Sequence, residues 1–374
     1  MDRVQTHIIR TDLEKKMVFL SGPRQTGKSW LAKSLAQAFE RSVYLNYDNH
    51  QDREVILGCA WRSDTEFLVL DEMHKMPLWK NHLKGLYDTK PEKLRILVTG
   101  SARLETFRQS GDSLAGRYFM HRLLPVSPSE AKSGGMHFSL DHFLTRGGFP
   151  EPLLADSDED ASRWRRLYLD GLIRDDILSF ENVHELRAIG LLVDLLRERV
   201  SSLVSYENLA ADLGISPNTV KRYIGILESL YIIFRVPPHS NSIARSLLKQ
   251  PKYYFFDTGL VVGDEGVHLE NLVAVSLLKD LFLMEDRDGI SRSLEFFRTK
   301  EGKEVDFVLV REGKPQTMIE VNYSDRDLSP NLRYFNGKYG IPGIQLVGDL
   351  RLEYEAGPGL SVRRALDWLR ADLN

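Results

Sequence analysis

Met17-Val18-Phe19-Leu20-Ser21-Gly22-Pro23-Arg24-Gln25-Thr26-Gly27-Lys28-Ser29-Trp30 opens as a short apolar run and closes on a G-x-x-x-x-G-K-[ST] loop. The run is of strand type. Trp30-Leu31-Ala32-Lys33-Ser34-Leu35-Ala36-Gln37-Ala38-Phe39 then carries apolar residues at helical spacing, so the loop falls between a buried strand and a helix start. That context separates a phosphate-cradling loop from an ordinary glycine turn before a helix. Gly22 and Gly27 let the backbone curve with its N–H groups inward, and the helix start adds positive potential. On this reading Gly22, Pro23, Arg24, Gln25, Thr26, Gly27, Lys28 and Ser29 bind the nucleotide ATP. Lys28 reaches its β- and γ-phosphates and Ser29 offers a hydroxyl to Mg²⁺.

Further along, Phe67-Leu68-Val69-Leu70-Asp71-Glu72 reads as a buried strand that delivers two carboxylates to its C-terminal end, the edge at which open α/β sheets bind ligands. Asp71 suits the metal shell. Glu72 suits orienting and partly deprotonating an attacking water, a positioning task that phosphoryl transfer requires. A further strand, Arg95 to Thr99, ends in Gly100-Ser101-Ala102-Arg103, where Ser101, with Thr99 in reserve, would sense the γ-phosphate or hold the water. In Ser113-Leu114-Ala115-Gly116-Arg117 the guanidinium of Arg117 would act as an arginine finger, in cis or on a neighbouring subunit, against the plainer reading of a surface arginine in a loop.

These segments, with Gly147-Gly148-Phe149-Pro150-Glu151-Pro152, Phe255-Phe256-Asp257-Thr258-Gly259-Leu260 and Glu304-Val305-Asp306-Phe307, resemble the AAA-fold ATPases of bacteria and archaea that join an N-terminal ATPase module to a C-terminal domain of unknown function. The resemblance extends over almost the whole chain. It implies an AAA-type core and homo-oligomerisation, a hexameric ring among the arrangements.

Length and charge agree. At 374 residues the chain exceeds the usual size of one core. With 50 Lys and Arg against 53 Asp and Glu there is no global basic footprint for nucleic acid, so any such contact is local. One cysteine, Cys59, excludes an intramolecular disulfide and suits a reducing compartment. The N-terminus lacks the apolar core of a signal peptide, and no stretch approaches a membrane span of about 18 apolar residues. The expectation is a cytoplasmic protein without a membrane contact. Scattered histidines give no zinc spacing.

Strands expected at 17 to 21, 42 to 47, 66 to 70, 95 to 99 and 118 to 124 alternate with helical stretches, the pattern of a parallel α/β sheet. From about 155 the pattern is helical, including 161 to 174 and 186 to 200. Between 205 and 236 a serine-capped helix ends at Gly214, and Ser216-Pro217 opens a second helix, followed at Tyr231 by a strand: a winged helix-turn-helix. Asn218, Thr219, Lys221 and Arg222 lie on the early face of the second helix and are the candidates for DNA contact. The local charge excess is mild, and the alternative is a packing or lid role.

In the last third, Glu270-Asn271-Leu272-Val273-Ala274 opens an apolar helix, and Glu304 to Leu309 and Met318 to Asn322 read as strands. The order resembles restriction-endonuclease-like folds. In such nucleases carboxylates at the positions of Asp306 and Glu320 hold Mg²⁺, and a lysine two residues past the glutamate, on the same strand face, helps activate water. Here that residue is Asn322, which carries no charge, so the resemblance implies a degenerate nuclease-like domain. Lys300 or Lys303 would have to supply the amine.

The reading is therefore an α/β chain with a P-loop NTPase (AAA-type) parallel-sheet core at 1–155, a helical and winged-helix domain at 156–262, and a C-terminal α/β nuclease-like domain at 263–374. It predicts an oligomeric ATP-hydrolysing motor acting on or near DNA, or a nucleotide-gated switch with slow turnover.

Overall fold

The computed structural model describes residues 3–100, 114–177, 183–240, 250–324 and 327–371. The chain divides into two compact units, Met1–Leu124 and Pro125–Asn374. Residues 125–155, which the sequence pattern places with the ATPase core, thus fall in the second unit. Two buried contacts anchor them there: the amide of Val126 donates to the carbonyl of Gly148 at 2.7 Å, and the ammonium of Lys279 donates to the carbonyl of Pro125 at 2.7 Å and pairs with Glu130.

In the first unit five parallel strands, β1 (Met17–Ser21), β2 (Ser42–Asn46), β3 (Phe67–Asp71), β4 (Arg95–Thr99) and β5 (Tyr118–Arg122), lie in the order β2-β3-β4-β1-β5. Every residue of β1 and β3 is buried. Their apolar runs lack alternation because both faces of the sheet are covered. Side chains still alternate: Met17, Phe19, Leu68, Leu70, Ile96 and Val98 enter one core, and Val18, Leu20, Phe67, Val69 and Leu97 enter the other. β2 is one edge strand, β5 the other, and both are partly exposed. The inserted strand β4 separates the loop-bearing β1 from the acid-bearing β3.

The second unit opens with helices and closes with sheet. The helix Asp158–Gly171 is capped by Ser157 and has three acids in its first turn, where the helix dipole favours negative charge. It passes into the wider turns of Leu172–Ile177, so the last three residues of the stretch expected to be helical, 172 to 174, lie outside the regular helix. Helices Tyr206–Leu213 and Pro217–Ser229 follow, with Gly214 in the left-handed conformation between them and Ser216 capping the second. Strands β6 (Ile233–Val236) and β7 (Lys252–Phe255) form an antiparallel pair. The fully buried Tyr253, Tyr254 and Phe255 make β7 a core strand.

A 24-residue helix, Glu265–Asp288, packs beside a six-stranded sheet. Its strands are β8 (Arg292–Arg298), β9 (Glu304–Arg311), β10 (Lys314–Asn322), β11 (Gly343–Val347), β12 (Tyr354–Gly357) and β13 (Leu360–Arg364), in the order β12-β13-β11-β10-β9-β8. β8, β9 and β10 run antiparallel, whereas β10, β11 and β13 are parallel. Among the described residues no helix is long and apolar enough to cross a membrane.

Candidate nucleotide site

The loop between β1 and the helix Lys28–Ala36 has the backbone its glycines allow. Gly22 has φ +140°, and a Cβ there would stand 2.3 Å from the carbonyl oxygen of Leu123. Gly27 caps the helix at φ 92°, a conformation open to glycine. Thr26 is fully buried, its hydroxyl donating to the carbonyl of Pro23 at 2.9 Å. Arg24 is half-buried and Gln25, at φ 60°, is exposed. The ammonium of Lys28 is turned into the loop and donates to the carbonyls of Gly22, at 3.0 Å, and Pro23. Burial pulls this amine down to about 8, although Glu72 and Asp71 favour its charge.

Asp71, at the end of β3, is 2 % exposed and gathers the rest of the site. Its Oδ2 accepts hydrogen bonds from Ser29 Oγ at 2.7 Å and from the hydroxyl of Tyr44; its Oδ1 accepts from Thr99 and, at 3.0 Å, from the amide of Glu72. Burial by itself would raise the carboxyl, but the donors Ser29, Thr99 and Tyr44 hold it below the usual carboxylate range. Asp71 therefore stays ionised. Glu72 differs: burial and the neighbouring Asp71 push it up, while Lys75 opposes them. Its backbone is left-handed at φ 59°, an uncommon conformation for a residue with a side chain, and it breaks the strand so that the two acids diverge. Glu72 Oε2 lies 3.4 Å from Lys75 Nζ and 3.7 Å from His74 Nε2.

Other expected residues are placed differently. Thr99, the reserve choice, makes the contact with Asp71; Ser101 lies outside the described residues. Arg117 is not brought to the loop. Its carbonyl accepts from the amide of Met17, at the start of β1, whereas the loop leaves the far end of that strand. Its guanidinium is paired with Asp88 through contacts of 2.8 and 3.0 Å. Five residues of extended chain, about 15 Å, separate the two ends of β1, more than an arginine side chain reaches, so action in cis is corrected.

Two participants escaped the sequence reading. Tyr44 reads as an ordinary β-strand aromatic, and only the register that pairs Asn46 with Asp71 and Tyr44 with Val69 sets its hydroxyl over the acid. Arg3 is 5 % exposed; its guanidinium donates to the carbonyls of Thr26, at 2.7 Å, and Leu124. An arginine so far upstream belongs to no motif, so no local signal marks it.

Serine hydroxyl and carboxylate in direct contact at the mouth of a glycine-bent loop are a donor set that fits Mg²⁺, which takes one or two protein oxygens together with substrate phosphates. The strand order and this loop define the first unit as a P-loop nucleotide-binding domain. Residues 14–132 match the family model described as an AAA domain. Over these residues the unit is similar to AAA domains. Residues 137–267 and 265–350 match two models described as domains of unknown function, DUF8612 and DUF4143. An uncharacterized protein of Mycobacterium tuberculosis is 24% identical over 325 residues, covering 85% of this chain and 73% of that protein. An uncharacterized protein of Methanocaldococcus jannaschii is 22% identical over 363 residues, covering 86% and 79%. Among solved structures, a Walker-type ATPase of Pyrococcus abyssi covers 69% of this chain and 94% of its own at 14% identity and a TM-score of 0.44.

Proposed function

We propose that the chain binds ATP with Mg²⁺ and hydrolyses it, as a homo-oligomeric motor acting on or near DNA. The observation that carries the hydrolytic reading is the contact of Ser29 Oγ with Asp71 Oδ2 at 2.7 Å, with Glu72 one residue on and Lys28 turned into the loop. When bound, Mg²⁺ would neutralise phosphate charge between Ser29 and Asp71. Lys28 holds the phosphates, leaving the carbonyls of Gly22 and Pro23 to do so. Thr99 and Tyr44 keep Asp71 oriented. Glu72 accepts a proton from the attacking water, and its raised carboxyl is the stronger base for it. Arg117, at the opposite edge of its own sheet, serves a neighbouring subunit.

DNA contact is assigned to a winged helix spanning the helices Tyr206–Leu213 and Pro217–Ser229 and the pair β6 and β7. Asn218, Lys221 and Arg222 are exposed and Thr219 is half-exposed, as a recognition face requires. The three-part organisation, with 156–262 as the helical and winged-helix part and 263–374 as a nuclease-like part lacking its lysine at Asn322, belongs to the same proposal. The deciding experiment measures the ATPase rate with and without single- and double-stranded DNA on a sample of determined mass; a rate unmoved by either would remove the motor.

One observation favours a second reading, a nucleotide-gated switch with slow turnover. Glu72 Oε2 faces Lys75 Nζ at 3.4 Å, and that ammonium also pairs with Asp48, so the base is engaged. A switch predicts little stimulation by DNA and a nucleotide-dependent oligomer or partner.

A further inference from the structure

In the helix Asp158–Gly171, Ser162, Arg165, Arg166, Leu169 and Asp170 follow the spacing of a single helix stripe, and all of them border a cleft of about 250 Å³. The other walls are Arg197, the last residue of the helix Val183–Arg197, and the turn at Gly259-Leu260. A helix stripe that meets neighbouring elements is ordinarily apolar, yet this one brings two guanidiniums and the next helix adds a third. Such a lining does not serve packing.

The three arginines are held to different degrees. Arg165 is buried, and its bonds through Nε to Asp257 Oδ2 at 3.0 Å and through Nη2 to the carbonyl of Thr145 at 2.8 Å fix its plane; among the described residues Nη1 donates to nothing. Arg197 donates through Nε to the carbonyl of Leu260 at 2.5 Å and through Nη1 to Asp194 Oδ1 at 3.4 Å, which leaves Nη2 unspent among the described residues. Arg166 is exposed and makes no hydrogen bond or ion pair among the described residues. Asp257 balances Arg165 inside the unit, whereas the pair of Arg197 with Asp194, 31% and 64% exposed, is solvated and contributes little. The lining itself holds one acid, the exposed Asp170. Unspent guanidinium donors therefore outnumber the acceptors around them.

Guanidinium forks match the oxygens of carboxylate and phosphate groups. Three forks carried by two helices exceed what the two oxygens of a carboxylate can accept, and a tetrahedral phosphate has oxygens for all of them. The volume, below the roughly 300–1,000 Å³ of pockets for larger ligands, suits so small a group. We propose that this cleft binds a phosphate group, as the free ion or as the end of a phosphate monoester, with Arg166 and Arg197 engaging it beside the fixed guanidinium of Arg165. The cleft lies wholly within the second unit and owes nothing to the phosphate loop of the first.

The test is equilibrium dialysis of radiolabelled inorganic phosphate against the full-length, nucleotide-free chain, as wild type and with Lys28→Ala to silence the loop. Phosphate binding is expected to survive Lys28→Ala. Arg166→Gln, which alters an exposed side chain, should weaken that binding by about tenfold, the loss of one charge-assisted contact, and Asp170→Asn should tighten it by removing the one acid of the lining. Displacement of the label by methyl phosphate assigns the cleft to ester ends, and resistance to it assigns the cleft to the free ion. The proposal is overturned if the folded Lys28→Ala chain retains no phosphate, if Arg166→Gln and Asp170→Asn leave the binding unmoved, or if acetate displaces the label as well as phosphate does. Where Lys28→Ala does not fold, the comparison of wild type with Arg166→Gln decides alone.

Discussion

At the scale of single residues, two neighbouring acids are given opposite tasks by their surroundings. Asp71 is saturated with donors and stays charged; Glu72 is buried with few and becomes basic. Glu72→Gln keeps the shape and removes the base. It is expected to retain ATP binding and to lower turnover by about 10²- to 10⁴-fold, as measured by phosphate release, and undiminished release would contradict the role. Because the Lys75 ammonium lowers the Glu72 carboxyl, Lys75→Met should move the acid limb of the rate profile to higher pH. Lys28 works in the other direction. Its amine lies near 8 before nucleotide arrives, and phosphate favours the charged form, so binding takes up a proton above that pH. Affinity should be flat up to pH 7 and fall by about tenfold by pH 9, with proton uptake visible to calorimetry in buffers of different ionisation enthalpy; Lys28→Met removes the uptake. Lys28, Ser29, Asp71 and Glu72 were legible because each sits at a fixed offset in a motif. Tyr44 and Arg3 were not, because they reach the loop from strands and segments that only folding brings near.

At the scale of elements, segments distant in sequence are locked by buried pairs. The guanidinium of Arg165 donates through Nε to Asp257 Oδ2 at 3.0 Å and through Nη2 to the carbonyl of Thr145 at 2.8 Å. Gly259 lies so close that a Cβ would stand 2.1 Å from that guanidinium, and a Cβ on Gly147 would stand 2.1 Å from Asp257 Oδ1. This accounts for Gly147-Gly148 and Asp257-Thr258-Gly259 as packing motifs, a role that a reader of the bare residues has no means to assign. Removing one partner strands the other charge. Asp257→Ala should cost about 3–5 kcal/mol in denaturant unfolding, whereas Asp158→Ala, which breaks the exposed pair with Arg146, should cost about 0–1 kcal/mol. Equal losses would mean that the Arg165 pair is not desolvated in solution. Gly22→Ala should likewise disable the loop, since it meets both an unfavourable φ and the carbonyl of Leu123.

At the scale of the whole molecule, the proposed assignments to DNA and to a neighbouring subunit stand or fall on assembly. Double replacement of Lys221 and Arg222 by glutamate should abolish any DNA stimulation of the ATPase while leaving the basal rate within about twofold, and the salt dependence of stimulation should flatten as phosphate contacts are lost. Arg117→Ala should slow turnover only in the assembled protein, seen by mixing it with a Glu72→Gln chain and comparing the rates with random assembly.

From the residues alone came the phosphate loop, the acid-bearing strand, the run of parallel strands to within one or two residues, and the serine-capped helix pair, because each is written in local spacing: period two, period 3.6, or a fixed motif offset. Tertiary structure alone decided the order of the strands, with β4 between β1 and β3, and hence that Thr99 meets Asp71. It alone set Arg117 at the far edge of the sheet, moved residues 125–155 into the second unit, and placed Lys252 beside Asp306 where Lys300 and Lys303 were the amines considered. The physical reason is the same in every case: a hydrogen bond or an ion pair depends on distance through space, and distance through space between elements is set by strand register and packing, which no short stretch of sequence encodes.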